Sequence, residues 1–358
     1  MNLGIAVHQY APSEGTGGYV VELLPRIARV HRVTLYAARI AAPVPPGVQV
    51  VRVPAIMLRA YSAILSFPLA LRLVRRAHDL FHVQGWISSS ADVVTAHIVM
   101  AAWREAAGAA RVATPLGERT LGPFVQAKEA SLLQRARRVI APSAKVRDEI
   151  AQWYDRSDGV VVVHHGFPAA TGVAAATARQ ALGLPLDAII ALFVGDLRKG
   201  FDTALEAVRQ VPGVRLAVVS RSAQSPVMER ADQAGMLDRL HWIGALEDTA
   251  PAYDAADFLL HPTIDDAFGL VVAVAMAHGI PVVVTRAAGI AELIRHGESG
   301  WLVDGEPLAG TLTAVRALAQ DAALRKRLGA GARAMAARRS WDDVARETLV
   351  VYDEAARS

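Results

Sequence analysis

Two acids stand at the head of an apolar run in DDAFGLVVAVAMAHG, residues 265–279. Gly279 and the Pro281 beyond it are stop signals, so LVVAVAMAH reads as a helix, entered through the turn IDDAFG from the strand pattern ADFLLHP at 256–262. Asp265 and Asp266 then have two readings. Carboxylates at a helix N-terminus act as caps that contribute about 0.5–2 kcal/mol. The helix is also apolar on every face, hence buried, and acids at its mouth can instead face a ligand.

A second constellation is VGDLRKG (194–200), on the loop after the strand ALFV. It lacks the GxxxxGK[ST] frame of a P-loop. Arg198 and Lys199 still suit a diphosphate, the arginine as a planar fork and the lysine as a point charge. Solvated surface cations are the plainer reading. A third is GTGG at 15–18. Its first glycine comes eight residues after Val7 and no GxGxxG follows, which argues against a dinucleotide site. Gly17 and Gly18 open a helix, so they form either a plain turn or a place where a ligand meets backbone N–H groups.

His97, His164 and His165 have no partner at metal-ligand spacing and read as structural histidines. There is no DxD, no HExxH and no G-x-S-x-G, so neither a metal site nor a serine-hydrolase elbow is expected. The chain has no cysteine, which excludes disulfides and thiolate chemistry and fits a reducing compartment.

The elements that must position these residues are short apolar runs alternating with helical patterns. They are LGIAV (3–7), RVTLYAA (32–38), VQVVRV (48–53), DLFHVQG (79–85), DVVTAHIV (92–99) and RRVIAPS (137–143). A Gly/Pro-flanked stretch with little to bury, His165 to Asp187, reads as a linker with one helical piece. A second series follows at 188–195, 214–220, 240–244, 256–262, 281–285 and 300–304, closed by helical patterns at 309–338 and 341–356. The expected fold is α/β: two doubly wound, Rossmann-like parallel-sheet domains facing a central cleft. The expected division is 1–166 with the last helix 341–358 crossing back, and 167–340.

With 358 residues, 53% of them apolar, the chain can build two ordinary cores. The net charge of +4 is uneven: residues 1–168 carry 19 Lys/Arg against 11 Asp/Glu, and the remainder 19 against 23. A basic half points to an anionic partner or to a solvated arginine-rich surface. Residues 59–76, RAYSAILSFPLALRLVRR, are either a buried helix with basic ends or a surface helix docked on anionic lipid. The start, MNLGIAVHQY, has no signal-peptide pattern and no run is long enough to span a bilayer, so a cytoplasmic protein is expected, with peripheral attachment to the inner face of the membrane under the second reading.

In order and spacing, APSEGTGGYVVELLPRIA, DVVTAHI, RRVIAPSAKVRDEI, VVVHHGF, FVGDLRKGFDTALEAV, PAYDAADFLLHPT, DDAFGLVVAVAMAHGIPVVVT, AAGIAELIRHGESGWLV and SWDDVARETLVVYDEA resemble the retaining glycosyltransferases of family 4, with the GT-B fold. The resemblance implies a nucleotide-diphosphate sugar as co-substrate, bound by the second domain, and a hydroxyl acceptor on the first. That acceptor would be a carbohydrate, a lipid-linked sugar or a small molecule; neither cofactor, metal nor nucleic acid is implied. The family's glycine pair falls on Gly17 and Gly18, its sugar-contacting histidine on His97 and its phosphate lysine on Lys199. Its helix N-terminus behind the diphosphate falls on Phe268, Gly269 and Leu270, and its first acid on Asp266. Two positions depart from the pattern. Asp196 stands where the family has arginine, leaving Arg198 as the substitute, and Val274 stands where a glutamate holds the ribose. A binding protein without turnover and a sugar-nucleotide epimerase are the rival readings, separable by donor hydrolysis and by sugar conversion without acceptor.

Overall fold

Strands that are apolar on both faces are stable only when both faces are covered, so the apolar runs pair in parallel beneath helices. The computed structural model describes residues 1–12, 15–57, 60–170 and 172–358, with the side chains of Ala60 and Tyr61 set aside. Arg59, one basic end of the 59–76 stretch, lies outside the described residues. The chain forms two compact units: Met1–Gly166 with Trp341–Ser358, and Phe167–Ser340.

The first unit holds a parallel seven-stranded sheet in the order β3-β2-β1-β4-β5-β6-β7. Its strands are β1 (Asn2–Tyr10), β2 (Arg32–Ile40), β3 (Gln49–Arg52), β4 (Leu80–Gln84), β5 (Val93–Thr95), β6 (Arg138–Ala141) and β7 (Val160–Val162). Helices α1 (Gly15–Ile27), α2 (Ala60–Val74), α3 (Met100–Ala109), α4 (Leu116–Arg135) and α5 (Ala144–Tyr154) belong to it. The second unit has a parallel sheet of β8 (Ile189–Val194), β9 (Val214–Val219), β10 (Leu240–Gly244), β11 (Phe258–His261), β12 (Val282–Thr285) and β13 (Trp301–Val303). Their order is β10-β9-β8-β11-β12-β13. Its helices are α6 (Ala175–Ala181), α7 (Phe201–Arg209), α8 (Gln224–Gln233), α9 (Ala250–Ala255), α10 (Leu270–His278), α11 (Pro307–Gln320) and α12 (Ala322–Ala336).

The last helix, α13 (Trp341–Arg357), returns to the first unit. Its buried residues Trp341, Val344, Ala345, Thr348, Val351, Tyr352 and Ala355 recur every three or four positions, one continuous face. Arg26 donates to Asp342 at 2.6 Å and Arg138 to Glu354 at 3.2 Å along its edges. With this acidic helix the first unit carries 21 Lys/Arg against 16 Asp/Glu, a smaller excess than the first 168 residues alone.

In both sheets the strand order reverses beside the first strand, between β1 and β4 and between β8 and β11. Loops leaving the carboxyl ends of those pairs part in opposite directions and leave a crevice.

Three readings need correction. The 165–187 stretch is no bare linker: Phe167, Ala178 and Leu184 sit in the second unit's core. Arg179 is buried there, paired with Asp257 at 2.8 Å and donating to the carbonyls of Ala255, Leu186 and Ala188. The 309–338 pattern is two helices, parted at Asp321, whose carboxylate accepts the Leu324 N–H and starts α12. The 92–99 strand pairs only over Val93–Thr95, because the chain turns at His97 toward α3.

Candidate active site

The second unit gathers its chemistry at the β8/β11 switch point. The β8 loop passes so close to the β11 loop that a Cβ on Gly200 would lie 2.1 Å from the Pro262 carbonyl oxygen, and Gly200 has φ +97°. Only glycine permits that approach. It brings the Lys199 ammonium to 3.0 Å from Asp266 Oδ2. The other carboxylate oxygen accepts the Phe268 N–H at 3.3 Å. His261, at the end of β11, places Nε2 3.3 Å from Oδ2, without the geometry of a hydrogen bond.

Burial alone would raise the Asp266 pKa. The Lys199 charge, with His261 and the hydrogen bonds, overcomes burial and holds the carboxyl well below the ordinary range. Asp266 is thus an anion, two residues upstream of a buried Phe268 and locked by its backbone as well: its N–H donates to Ala287 and its carbonyl accepts from Gly289.

Neither acid caps α10. Gly269, in the left-handed region, is the N-cap and no side chain caps the helix. Asp265 is buried, with its N–H on Thr263 Oγ1. Because α10 starts at Leu270, Asp266 lies before the helix, and the eight-residue spacing to Val274 does not set the two side chains by helical phase. Val274, in the middle of α10, is half-buried and packs on the core.

Arg198 stands on the same loop, two residues after Asp196. Its fork is closed on Asp196, Nη2 to Oδ2 at 2.8 Å and Nε to Oδ1 at 3.2 Å. The Arg198 charge is therefore paired with the Asp196 carboxylate.

In the first unit, Gly18 is the fourth residue of α1, where a Cβ would meet the Pro12 carbonyl oxygen at 2.9 Å. Gly17 is buried beside it. The next residue, Tyr19, meets the His97 ring edge-on, with centroids 5.1 Å apart. His97 Nε2 lies 2.9 Å from Gln84 Oε1. An amide oxygen only accepts, so His97 is protonated on Nε2 and its Nδ1 keeps a lone pair. Gln84 Nε2 in turn lies 3.2 Å from His82 Nε2, which Thr95 Oγ1 also approaches at 2.8 Å. Both partners can donate there, so His82 donates from Nδ1 to Tyr352 of α13, 2.7 Å away. A buried polar chain thus runs from the terminal helix to His97. Burial pushes the His97 pKa down to about 4, and burial with the nearby His97 charge pushes His82 to about 3, so both rings are neutral at pH 7.

His261, Gln84, His82, Thr95 and Tyr352 escaped the sequence reading. His261 and Gln84 each end a buried strand, which is where switch-point ligand residues stand, and that position was their signal. Tyr352 had none: it is 270 residues from His82. Among the described residues no group of three or more His, Cys, Asp or Glu side chains could hold a metal ion.

A family model described as Glycosyltransferase Family 4 matches residues 13–171, and one described as Glycosyl transferases group 1 matches residues 188–321. A D-inositol 3-phosphate glycosyltransferase of Streptomyces bingchenggensis is 30% identical over 414 aligned residues, covering 98% of this chain and 87% of that protein. The chain belongs to glycosyltransferase family 4. Sucrose-phosphate synthase from Thermosynechococcus elongatus superimposes with a TM-score of 0.83 at 21% identity, over 99% of this chain and 98% of the other. HepE of Anabaena, solved in complex with UDP-glucose, gives 0.73 at 17% identity over 99% of each chain. This family 4 glycosyltransferase therefore has the GT-B fold, two parallel-sheet α/β domains, and Lys199, Asp266 and His97 stand at the carboxyl ends of its strands.

Proposed function

We propose that this glycosyltransferase is retaining and independent of metal, and moves a sugar from a nucleotide-diphosphate sugar to a hydroxyl acceptor. The observation that carries the reading is the Lys199–Asp266 pair, 3.0 Å apart, at the mouth of α10. A cation and an anion side by side suit a substrate whose diphosphate leaves from a sugar that turns positive. Lys199 and the amino end of α10 would receive the phosphates, an electrostatic stabilisation already in place before the bond breaks. Asp266 would position the sugar, and in the first unit His97, neutral and oriented by Gln84, would accept a hydrogen bond from a hydroxyl through Nδ1. The anomeric C–O bond breaks, the acceptor oxygen bonds to the same face, and the acceptor proton leaves on the departing phosphate. A donor like that bound by HepE, a uridine-diphosphate sugar, heads the trial set, and the first unit would hold the acceptor.

A matching nucleoside diphosphate should stabilise the protein by about 2.7 kcal/mol at 100 times its dissociation constant. The product should keep the donor's anomeric configuration by NMR, at a rate unmoved by chelator. If the diphosphates of uridine, guanosine, adenosine and thymidine and their sugars all leave the melting curve unmoved, the donor site is misassigned; an inverted product removes retention.

Val274 tests the nucleotide end. Val274→Glu should tighten nucleotide binding roughly 10- to 150-fold, the worth of a charged hydrogen bond of about 1.5–3 kcal/mol, and should not improve binding of the 2′,3′-dideoxy analogue. A less stable variant with unchanged affinity would show that Val274 only packs.

A further inference from the structure

We propose that the outer face of α2 docks on an anionic lipid bilayer. The helix has two unlike sides. Ala63, Phe67, Ala70 and Leu71 are buried, while Leu65, Leu69 and Leu73 are 39%, 69% and 84% exposed. At 100° per residue these three leucines span about 80° of arc, and the exposed Arg72 falls about 20° outside it, beside Leu65. Ile56, 56% exposed, adjoins them, its N–H held by Ser66 Oγ of the same helix at 2.9 Å. Neighbouring α4 exposes Leu116 and Phe124, and Lys128 Nζ stands 5.4 Å over the Phe124 ring.

Charge names the occupant. Residues 23–78 hold nine arginines and no aspartate or glutamate, and α2 lies within that span. Leucines among arginines, with no acid, match the acyl boundary and headgroups of an anionic leaflet. A second copy is the poorer partner, because a two-fold contact would set α2, which has no acid and ends beside Arg72 and Arg76, against itself. Among the described residues no helix is long and apolar enough to cross a membrane, so the contact is interfacial. The same helix rests inward on the site's own sheet: Phe67 meets His8 of β1, ring centroids 4.7 Å apart. Docking therefore holds the strand that leads to Gly17 and Gly18 at the lipid surface, and it does not depend on the donor assignment above.

Co-sedimentation of the full chain with vesicles of phosphatidylcholine, with and without phosphatidylglycerol, tests this. Binding should require phosphatidylglycerol and weaken as salt rises. Leu69→Ser with Leu73→Ser, and separately Arg72→Glu with Arg76→Glu, should each reduce binding about tenfold or more. All four side chains are exposed, so both variants should keep the parent melting curve. The proposal is overturned by no binding to anionic vesicles, by equal binding to neutral ones, or by variants that bind like the parent. It is equally overturned by a dimer, seen in sedimentation velocity without lipid, that the leucine variant dissociates.

Discussion

Lys199→Ala should lower the stability of the second unit at pH 7 by about 2 kcal/mol and abolish its response to nucleoside diphosphates. Breaking a fully buried ion pair costs about 3–5 kcal/mol, because the remaining charge is left without a partner. Lys199 keeps 34% of its side-chain surface in water, which reduces the cost. Asp266, the charge left behind, is only 17% exposed and would retain the Phe268 N–H and His261. The pH dependence identifies the pair. Asp266 is held below its ordinary value of 3.8, so its ion pair stabilises the folded state above that pH and the contribution is lost as pH falls through and below it. The gap between parent and variant, measured by hydrogen exchange of the second unit's core amides, should therefore be full at pH 7 and shrink below about pH 4. A gap that is constant with pH would mean that Lys199 contributes through packing alone.

Asp266→Asn is the informative counterpart. The amide can still accept the Phe268 N–H, and it frees the Lys199 ammonium from a carboxylate that a phosphate must otherwise displace. Nucleoside diphosphate should bind about 10-fold more tightly, the worth of roughly 1.4 kcal/mol, while sugar transfer falls. Calorimetry on both variants decides the matter: affinities that move in the same direction would show that the two residues are not competing for one phosphate site.

Most of what positions this pair could be read from the chain. Parallel strands buried on both faces leave continuous apolar runs, and loops at the carboxyl ends of such strands are where ligands are sought, so the placement of Lys199 and Asp266 on two such loops was legible. Their mutual contact was not. It depends on Gly200 letting two loops touch, a tertiary approach with no periodic trace. The start of α10 at Leu270, with Asp266 in the turn before it, was legible; the left-handed Gly269 that serves as its N-cap was not, because nothing in the letters AFG announces it. The Arg198–Asp196 fork was hidden for a simpler reason: spacing shows which charges are near, but not which of them are already satisfied. Phe167 and Leu184 were lost in a Gly/Pro-flanked segment, where an isolated apolar residue carries no period to reveal its burial. The stretch 100–135 yielded neither α3 nor α4, since α4 exposes apolar residues and buries Glu129, the reverse of an amphipathic pattern.

That buried acid leads to the second large effect. Glu129 is 4% exposed and accepts the Met100 N–H, at the start of α3, at 2.8 Å, and the Tyr154 hydroxyl at the end of α5. Burial pushes its pKa from 4.5 up to about 7, against the pull of both hydrogen bonds. A carboxyl whose folded pKa is raised binds its proton more tightly when folded, so stability falls as pH rises from about 4.5 to about 7 and is level above that. The loss amounts to about 3 kcal/mol, at 1.36 kcal/mol per pKa unit. Glu129→Gln keeps an acceptor for both donors and has no proton to lose. It should match the parent near pH 4.5, show no slope across the window, and be more stable than the parent at pH 8 by about 1–3 kcal/mol, the lower figure allowing for imperfect amide geometry. Glu129→Ala, which leaves the Met100 N–H and Tyr154 hydroxyl unsatisfied, should instead be less stable at every pH. With two units in the chain a single unfolding transition is not assured, so the readout is hydrogen exchange of the α3, α4 and α5 amides. Equal pH slopes for parent and Glu129→Gln in those amides would mean that Glu129 is ionised throughout and that its burial is fully compensated by the two hydrogen bonds.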